Sequence, residues 1–114
     1  MLDDIDALTS NIVETVKSIF GNSLVSVILY GSYARGDFDD DSDIDIMAII
    51  DLPADEISRH NAEIDKLASR LSLESNVCTT VCISLQDSAT FNKYQSALPF
   101  FSNIVKEGVA LYVA

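Results

Sequence analysis

The stretch "GSYARGDFDDDSDID", residues 31–45, places a Gly-Ser pair directly ahead of six aspartates that lie within nine positions. Like charges at this spacing repel one another, so stability alone does not explain the cluster. The stretch follows the apolar segment "LVSVILY", residues 24–30, and ends inside a second one, "DIDIMAII", residues 43–50. Both segments have the pattern of buried strands. They are too close in sequence for a crossover helix, so we expect a mixed sheet.

The strand predicted over residues 43–50 holds two carboxylates on one face. Side chains alternate along a strand, so Asp43 and Asp45 point one way. The opposite face is apolar and is expected to pack on the core; it comprises Ile44, Ile46, Ala48 and Ile50. The Cα atoms of the two aspartates would lie about 6.5–7 Å apart, so their carboxylates can converge. Each would raise the pKa of the other unless a cation lay between them. Mg²⁺ is typically held by one or two carboxylates plus substrate phosphates, so both are predicted metal ligands.

The Gly-Ser pair has the features of a phosphate-binding turn. Gly31 permits a tight turn and a close approach of a ligand to the backbone. Ser32 adds a hydroxyl donor where a short helical turn begins, and free N–H groups there favour phosphate. Arg35 could reach a triphosphate, a partner or a neighbouring aspartate, and Tyr33 could stack on a base or pack locally. We also include Ser42, next to Asp43, among the predicted nucleotide-binding residues.

Elsewhere the chain alternates between helical and strand patterns. Apolar residues three and four positions apart indicate helices, and β-branched runs indicate strands. The predicted elements are a helix over 3–20, strands over 24–30 and 43–50, a helix over 55–73, a strand over 76–85, helices over 88–97 and 99–107, and a short strand over 109–113. This order predicts an α/β (α+β) fold, a small mixed sheet flanked by helices, in a single domain over residues 1–114.

Composition narrows the range of partners. The 114 residues include 18 acidic and seven basic side chains, for a formal net charge of −11. A field of this sign disfavours non-specific nucleic-acid binding and anionic membrane surfaces. The N-terminus lacks a signal pattern and no apolar run reaches a membrane span, so a cytoplasmic protein is expected. Cys78 and Cys82 are too far apart in a strand for a disulfide and are expected to be reduced core thiols. The alternative is a partial metal site, for which the sequence offers no further ligands. The sequence leaves open whether the chain forms a homo-oligomer.

Two other motifs within the stretch have simpler interpretations. The aspartates from Asp37 to Asp41 are expected to lie in a solvated loop. Read as a calcium loop from Asp37, the sequence lacks the glycine needed at position six and the glutamate needed at position twelve. The tripeptide "RGD" at 35–37 is taken as coincidence, because nothing else indicates an extracellular chain.

The pattern G-S, ten residues, D-x-D after a hydrophobic strand resembles the signature of the polymerase-β-like nucleotidyltransferase superfamily. The short chain and the ending "PFFSNIVKEGVALY" are similar to the minimal nucleotidyltransferases (MNT), which include the antitoxins of HEPN/MNT toxin–antitoxin pairs. The resemblance implies transfer of a nucleoside monophosphate from a nucleoside triphosphate, with ATP favoured, to a hydroxyl. It also implies that Gly31 and Ser32 hold phosphates, and that Asp43 and Asp45 are catalytic and bind two Mg²⁺.

One position departs from the pattern that the resemblance implies. Full members usually carry a third carboxylate on a later strand, where it binds metal and can act as a general base. The estimated register puts this position near Thr80, and no Asp or Glu lies within the predicted strand. Glu74 and Asp87 flank the strand and could substitute if the loops bend inward.

Three functions therefore remain open at the level of sequence. The first is modification of a HEPN-type helical toxin, typically on a tyrosine. The second is an inactive or slow antitoxin that neutralises its partner by binding, which the missing carboxylate favours. The third is a small-molecule nucleotidyltransferase, although those enzymes usually bring a second domain for the acceptor.

Overall fold

The computed structural model describes residues 2–74 and 79–114. Its centre is β2 (Ile44–Ile50), a strand with hydrogen-bonded neighbours on both sides. β1 (Leu24–Tyr30) pairs with β2 antiparallel, and β3 (Val81–Asp87) pairs with it parallel. β4 (Val109–Val113) adds antiparallel to the outer edge of β1, giving the order β3-β2-β1-β4. The predicted mixed sheet is confirmed, and the short link between β1 and β2 accounts for their antiparallel pairing.

Six α-helices connect and cover these strands in the described part of the chain. They are α1 (Leu2–Phe20), α2 (Ser32–Arg35), α3 (Ala54–Ser58), α4 (Asn61–Glu74), α5 (Ser88–Tyr94) and α6 (Pro99–Glu107). None of the helices in the ranges 2–74 and 79–114 is long and apolar enough to cross a membrane.

One face of the sheet forms the larger core. The apolar stripe of α1 and the buried side of α4 pack there against the residues of β2 that were predicted to face inward: Ile44, Ile46, Ala48 and Ile50. All four of these residues are buried. The two-residue alternation of the strand and the three-to-four spacing of the helices therefore meet on this face, as the sequence predicts.

The other face of the sheet carries a smaller core. Met47 and Ile49 of β2 pack there against Phe91 of α5 and against Phe101 and Ile104 of α6. Because both faces of β2 are covered, the strand is apolar at nearly every position, as buried strands are. Asp45 lies two residues before Met47 on this second face, where the apolar cover ends.

Two predicted helix boundaries were wrong. The helix expected over 55–73 is divided into α3 and α4 by a turn at Arg59–His60. The His60 ring packs edge-on against Phe20, with centroids 4.9 Å apart, and this contact accompanies the turn. The turn contains no glycine or proline, and the amphipathic spacing continues across it. The sequence therefore does not reveal the turn. The helix expected over 88–97 ends earlier, at Tyr94.

The third strand lies further along the chain than predicted. It runs to Asp87, whereas the pattern placed its end at Leu85. Its beginning is at Val81, whose backbone N–H donates to the Ser72 hydroxyl of α4. The first part of the predicted strand, including Cys78, lies outside the described residues.

Candidate active site

The candidate site lies at the edge of the sheet where β1 ends and β2 and β3 begin. Antiparallel pairing sets Tyr30, the last residue of β1, opposite Asp45. Parallel pairing sets Cys82 of β3 on the other side of Asp45. The chain leaves β1 through Gly31 and returns to β2 through the acidic loop, so both ends of the 31–45 stretch meet at this edge.

The two predicted metal ligands are close enough to interact. Asp43 is exposed just before β2, and Asp45 is half-buried within it. Burial raises the pKa of Asp45, and the negative charge of Asp43 raises it further. A bound cation would oppose both effects and lower the pKa of Asp45, because it favours the ionised carboxylate.

Gly31 touches the carboxylate of Asp45 in a way that only glycine allows. Its backbone has φ 75° and ψ −156°, a conformation open essentially to glycine alone. A Cβ atom added here would lie 2.7 Å from Oδ2 of Asp45. A ligand bound at the Gly31 backbone would therefore lie next to the carboxylates. This is where a phosphate would lie if it shared a cation with those carboxylates.

The two carboxylates of this site match the protein ligands that Mg²⁺ usually takes. In the ranges 2–74 and 79–114, no three His, Cys, Asp or Glu side chains are grouped to hold a metal ion. Mg²⁺ usually keeps several waters and takes one or two carboxylates together with substrate phosphates. Asp43 and Asp45 could thus hold the ion, with its other ligands supplied by water and nucleotide.

The turn after Gly31 is short and closed. The Gly31 carbonyl accepts hydrogen bonds from the N–H groups of Ala34 and Arg35, each at 3.1 Å. The single helical turn α2 then stops at Gly36, which has φ 83°. Ser32, the first residue of α2, is half-buried beside Gly31.

Arg35 leaves this turn and is held by two acids. Its Nε donates to Asp37 at 3.1 Å, and its Nη1 donates to Glu107 of α6 at 3.2 Å. These hydrogen bonds raise the pKa of Arg35 above its ordinary value. Of the roles considered for Arg35, the structure displays the salt bridge, and the second acid comes from 72 residues further along the chain.

Tyr33 and Ser42 are engaged within the loop. The Tyr33 ring stacks on Phe38 with centroids 4.2 Å apart and planes 6° from parallel. The Ser42 hydroxyl accepts from the Asp39 N–H at 2.9 Å and donates to the Asp39 carboxylate at 3.2 Å. Asp37, Asp39, Asp40 and Asp41 are all exposed, in agreement with a solvated loop. Both predicted nucleotide-binding side chains thus shape the loop beside the carboxylate pair.

The residue beside Asp45 on β3 is Cys82. The sequence-based register placed this position near Thr80, so the prediction was wrong by two residues. Thr80 precedes β3 and accepts a backbone hydrogen bond from Ile44. Cys82 is a free, half-buried thiol on the carboxylate face, not a core residue. Burial and the charges of Asp43 and Asp45 raise its pKa.

Neither acid considered as a substitute for the third carboxylate is a cross-strand neighbour of Asp45. Asp87 lies opposite Ile50, at the far end of β2, and its carboxylate caps α5 by accepting the Thr90 N–H at 2.9 Å. Glu74 ends α4, where its exposed carboxylate lies 4.0 Å from Arg70.

Two side chains near the site were not among the predicted site residues. Tyr30 lies on the same face, and burial raises its pKa, an effect that the neighbouring Ser84 hydroxyl partly opposes. Glu107 is the partner of Arg35 described above. The alternation of β1 already places Tyr30 at the strand end, whereas nothing local in the sequence connects residue 107 with residue 35.

Comparison with known proteins agrees with this geometry. A model of the nucleotidyltransferase domain family matches residues 9–109. The chain therefore belongs to the nucleotidyltransferase domain family.

Two relatives from Methanocaldococcus jannaschii carry the name "putative protein adenylyltransferase". One is 34% identical over 100 residues, covering 88% of this chain and 90% of the relative. The other is 38% identical over 63 residues, covering 54% of this chain and 61% of the relative.

Solved structures share the fold. A "putative nucleotidyltransferase" from Sulfolobus solfataricus superposes with a TM-score of 0.56 at 28% identity, covering 95% of this chain and 79% of the other. A chain from a toxin–antitoxin crystal structure with AMP-PNP gives a TM-score of 0.54 at 25% identity, covering 91% of this chain and 73% of the other.

Proposed function

We propose that this chain transfers a nucleoside monophosphate, with AMP favoured, from a nucleoside triphosphate to a hydroxyl of a partner protein. The observation that carries the proposal is the contact of the Gly31 backbone with the Asp45 carboxylate, beside Asp43. The family membership supports nucleotidyl transfer. The names of the relatives support a protein acceptor, and the AMP-PNP in a similar complex supports an adenine nucleotide.

Four residues of the site carry the proposed chemistry. Gly31 and Ser32 bind the phosphates, and Asp43 and Asp45 hold Mg²⁺, with two ions expected. Bound Mg²⁺ would neutralise phosphate charge and favour an in-line displacement. In that displacement the acceptor oxygen bonds to the α-phosphorus, the bond to the β-phosphate oxygen breaks, and pyrophosphate and a proton leave.

The proposed acceptor is a helical toxin of the HEPN type, modified on a tyrosine. Attachment of AMP would add bulk and negative charge to the toxin and silence its action on RNA. Similarity to a toxin–antitoxin complex supports this choice of partner. A short helical protein in the neighbouring reading frame would be the first acceptor to test.

The test is a labelling assay with purified partner, Mg²⁺ and each of the four nucleoside triphosphates labelled at the α-phosphate. We expect label on the partner with ATP, and none with Asp43→Asn/Asp45→Asn. Asp40→Asn/Asp41→Asn is the matched control, since it removes the same charge from exposed loop positions. Equal labelling by the two double variants, or no labelling by the wild-type chain, would refute the proposal.

A second candidate is an antitoxin that neutralises its partner by binding alone. The observation that favours it is Cys82 opposite Asp45, where a third carboxylate would complete the acidic set. On this hypothesis Asp43→Asn/Asp45→Asn still protects cells that express the toxin. Loss of protection by a variant that still binds the toxin would exclude it.

A further inference from the structure

A small pocket opens on the side of Gly31 that faces α6. Its volume is about 200 Å³, and Gly31, Arg35, Phe100, Asn103 and Glu107 are among its lining residues. Gly31 also touches the Asp45 carboxylate, so the pocket and the carboxylate pair share one wall. A ligand whose phosphates lie at Gly31 can therefore extend directly into this pocket.

The aromatic wall of the pocket is Phe100. Its ring meets Tyr30 edge-on at 5.9 Å and lies 5.6 Å from the ring of Phe101, yet 53% of the residue remains exposed. These two contacts restrict the ring, so little further ordering is needed when a flat group stacks on it. Stacking on an aromatic side chain is a general way to bind a nucleobase.

The polar groups of the pocket favour a neutral ligand over a second phosphate. Arg35, its basic lining residue, already donates to Asp37 and Glu107. Asn103 is exposed, and its amide offers both donors and an acceptor. The volume is below the roughly 300–1,000 Å³ of pockets that enclose whole drug-sized ligands, so one part of a nucleotide fits better than all of it.

We propose that this pocket binds the base of the nucleoside triphosphate, with Phe100 stacking on the base and Asn103 hydrogen-bonding to its edge. The assignment rests on the proposed function to the extent that the phosphates lie at Gly31 and Ser32. It adds the residues that bind the base and choose among bases, and it places them on α6, outside the sequence motif.

The first test compares two ligands by calorimetry in the presence of Mg²⁺: AMP-PNP, which has a base, and inorganic tripolyphosphate, which has none. We expect Phe100→Ala to weaken AMP-PNP binding by about tenfold to a hundredfold, as loss of base stacking does. Tripolyphosphate binding should change less than about twofold. Phe100→Tyr keeps the ring and should retain most of the affinity.

Val105→Ala is the control for truncation on the same helix. Val105 is also 53% exposed, but it lines a different pocket, on the other side of α6. The Val105→Ala variant should bind AMP-PNP and tripolyphosphate with unchanged affinity. Thermal melts without ligand establish that each variant is folded.

The second test is base preference. Asn103→Ala should change the ratio of AMP-PNP to GMP-PNP affinity by about fivefold or more, because a hydrogen-bonded base edge discriminates between bases. A ratio that stays within twofold of wild type would contradict the role of Asn103.

The outcomes separate this inference from the proposed function. Equal weakening of AMP-PNP and tripolyphosphate by Phe100→Ala, or no weakening at all, overturns the base pocket. Base-dependent binding without any transfer to protein refutes the proposed function and leaves the pocket standing. If wild-type protein binds neither ligand, both proposals are wrong.

Discussion

At the scale of single residues, Gly31 and Asp45 form one unit. The glycine conformation brings the backbone against the carboxylate, and the strand holds the carboxylate in place. Burial and the nearby Asp43 charge disfavour the ionised form of Asp45. The fold therefore keeps together a turn that only glycine can adopt and an acid repelled by its neighbour, which is the arrangement expected where function competes with stability.

Gly31→Ala should damage both the fold and the site. The backbone conformation of Gly31, φ 75° with ψ −156°, is strongly unfavourable for alanine. We therefore expect a loss of about 1–3 kcal/mol in the free energy of unfolding. Its Cβ would also displace the Asp45 carboxylate and weaken Mg²⁺–nucleotide binding. Gly36→Ala is the control, because Gly36 has φ 83° but no atom within 4 Å of an added Cβ. Urea denaturation and calorimetry measure the two effects; equal nucleotide binding by the two variants would contradict the contact.

Asp45→Asn should stabilise the metal-free protein while abolishing the proposed nucleotidyl transfer. The folded-state pKa of Asp45 is raised, so its ionisation opposes folding at neutral pH. We expect a gain of about 0.5–1 kcal/mol at pH 7.5, modest because water screens a partly exposed pair. The gain should shrink as the pH falls through the raised pKa, since the wild-type carboxyl is then neutral. Melting curves in EDTA measure this, with exposed Asp41→Asn as control; a gain that grows on acidification would refute it.

At the scale of elements, α6 connects the two halves of the proposed nucleotide site. It buries Phe101 and Ile104 in the smaller core, and its last residue, Glu107, reaches Arg35 beside Gly31. Gly108 ends the helix where the backbone passes close to β1. An added Cβ there would lie 2.5 Å from Cγ2 of Ile28 and would also clash with the Ile104 carbonyl.

Gly108→Ala should loosen α6 from β1. Gly108 has φ −69° and ψ 150°, which alanine adopts freely, so the expected loss comes from packing alone. We expect about 1–3 kcal/mol of destabilisation, typical of overpacking, and weaker binding in the pocket beside Phe100. Urea denaturation measures the first effect, and exposed Val109→Ala serves as the control. An unchanged midpoint would show that α6 moves aside at no cost.

The sequence predicts these elements unevenly, for physical reasons. Residues 24–30 are a strand in the structure as predicted, because alternation and β-branching are local properties. The neighbour of Asp45 on β3 was misplaced, because parallel register depends on how α3 and α4 return the chain to the sheet. The pocket beside Phe100 could not be predicted for the same reason, because only tertiary packing brings α6 next to Gly31. Gly31 and Asp45, in contrast, lie in one sequence motif.

At the scale of the whole molecule, two cores leave one end of the sheet open. The larger core covers one face of β2 throughout, while the smaller core stops at Met47 and leaves Asp45 accessible. The net charge of −11 adds repulsion to this open end, which lies next to four more acids in the loop. Cations should therefore stabilise the molecule in two ways, by general screening and by binding to the carboxylate pair.

Thermal melts can separate these two effects of cations. The melting temperature would be measured in MgCl₂ and in NaCl at equal ionic strength, so that screening is the same in both salts. A site-bound ion adds about 1.4 kcal/mol at ten times its Kd, or roughly 5 °C in Tm for a domain of this size. We expect this Mg²⁺-specific increment in the wild-type chain and in Asp40→Asn/Asp41→Asn, and its loss in Asp43→Asn/Asp45→Asn. The same increment in all three proteins would mean that the acidic surface as a whole attracts Mg²⁺, and that residues 43 and 45 hold no ion of their own.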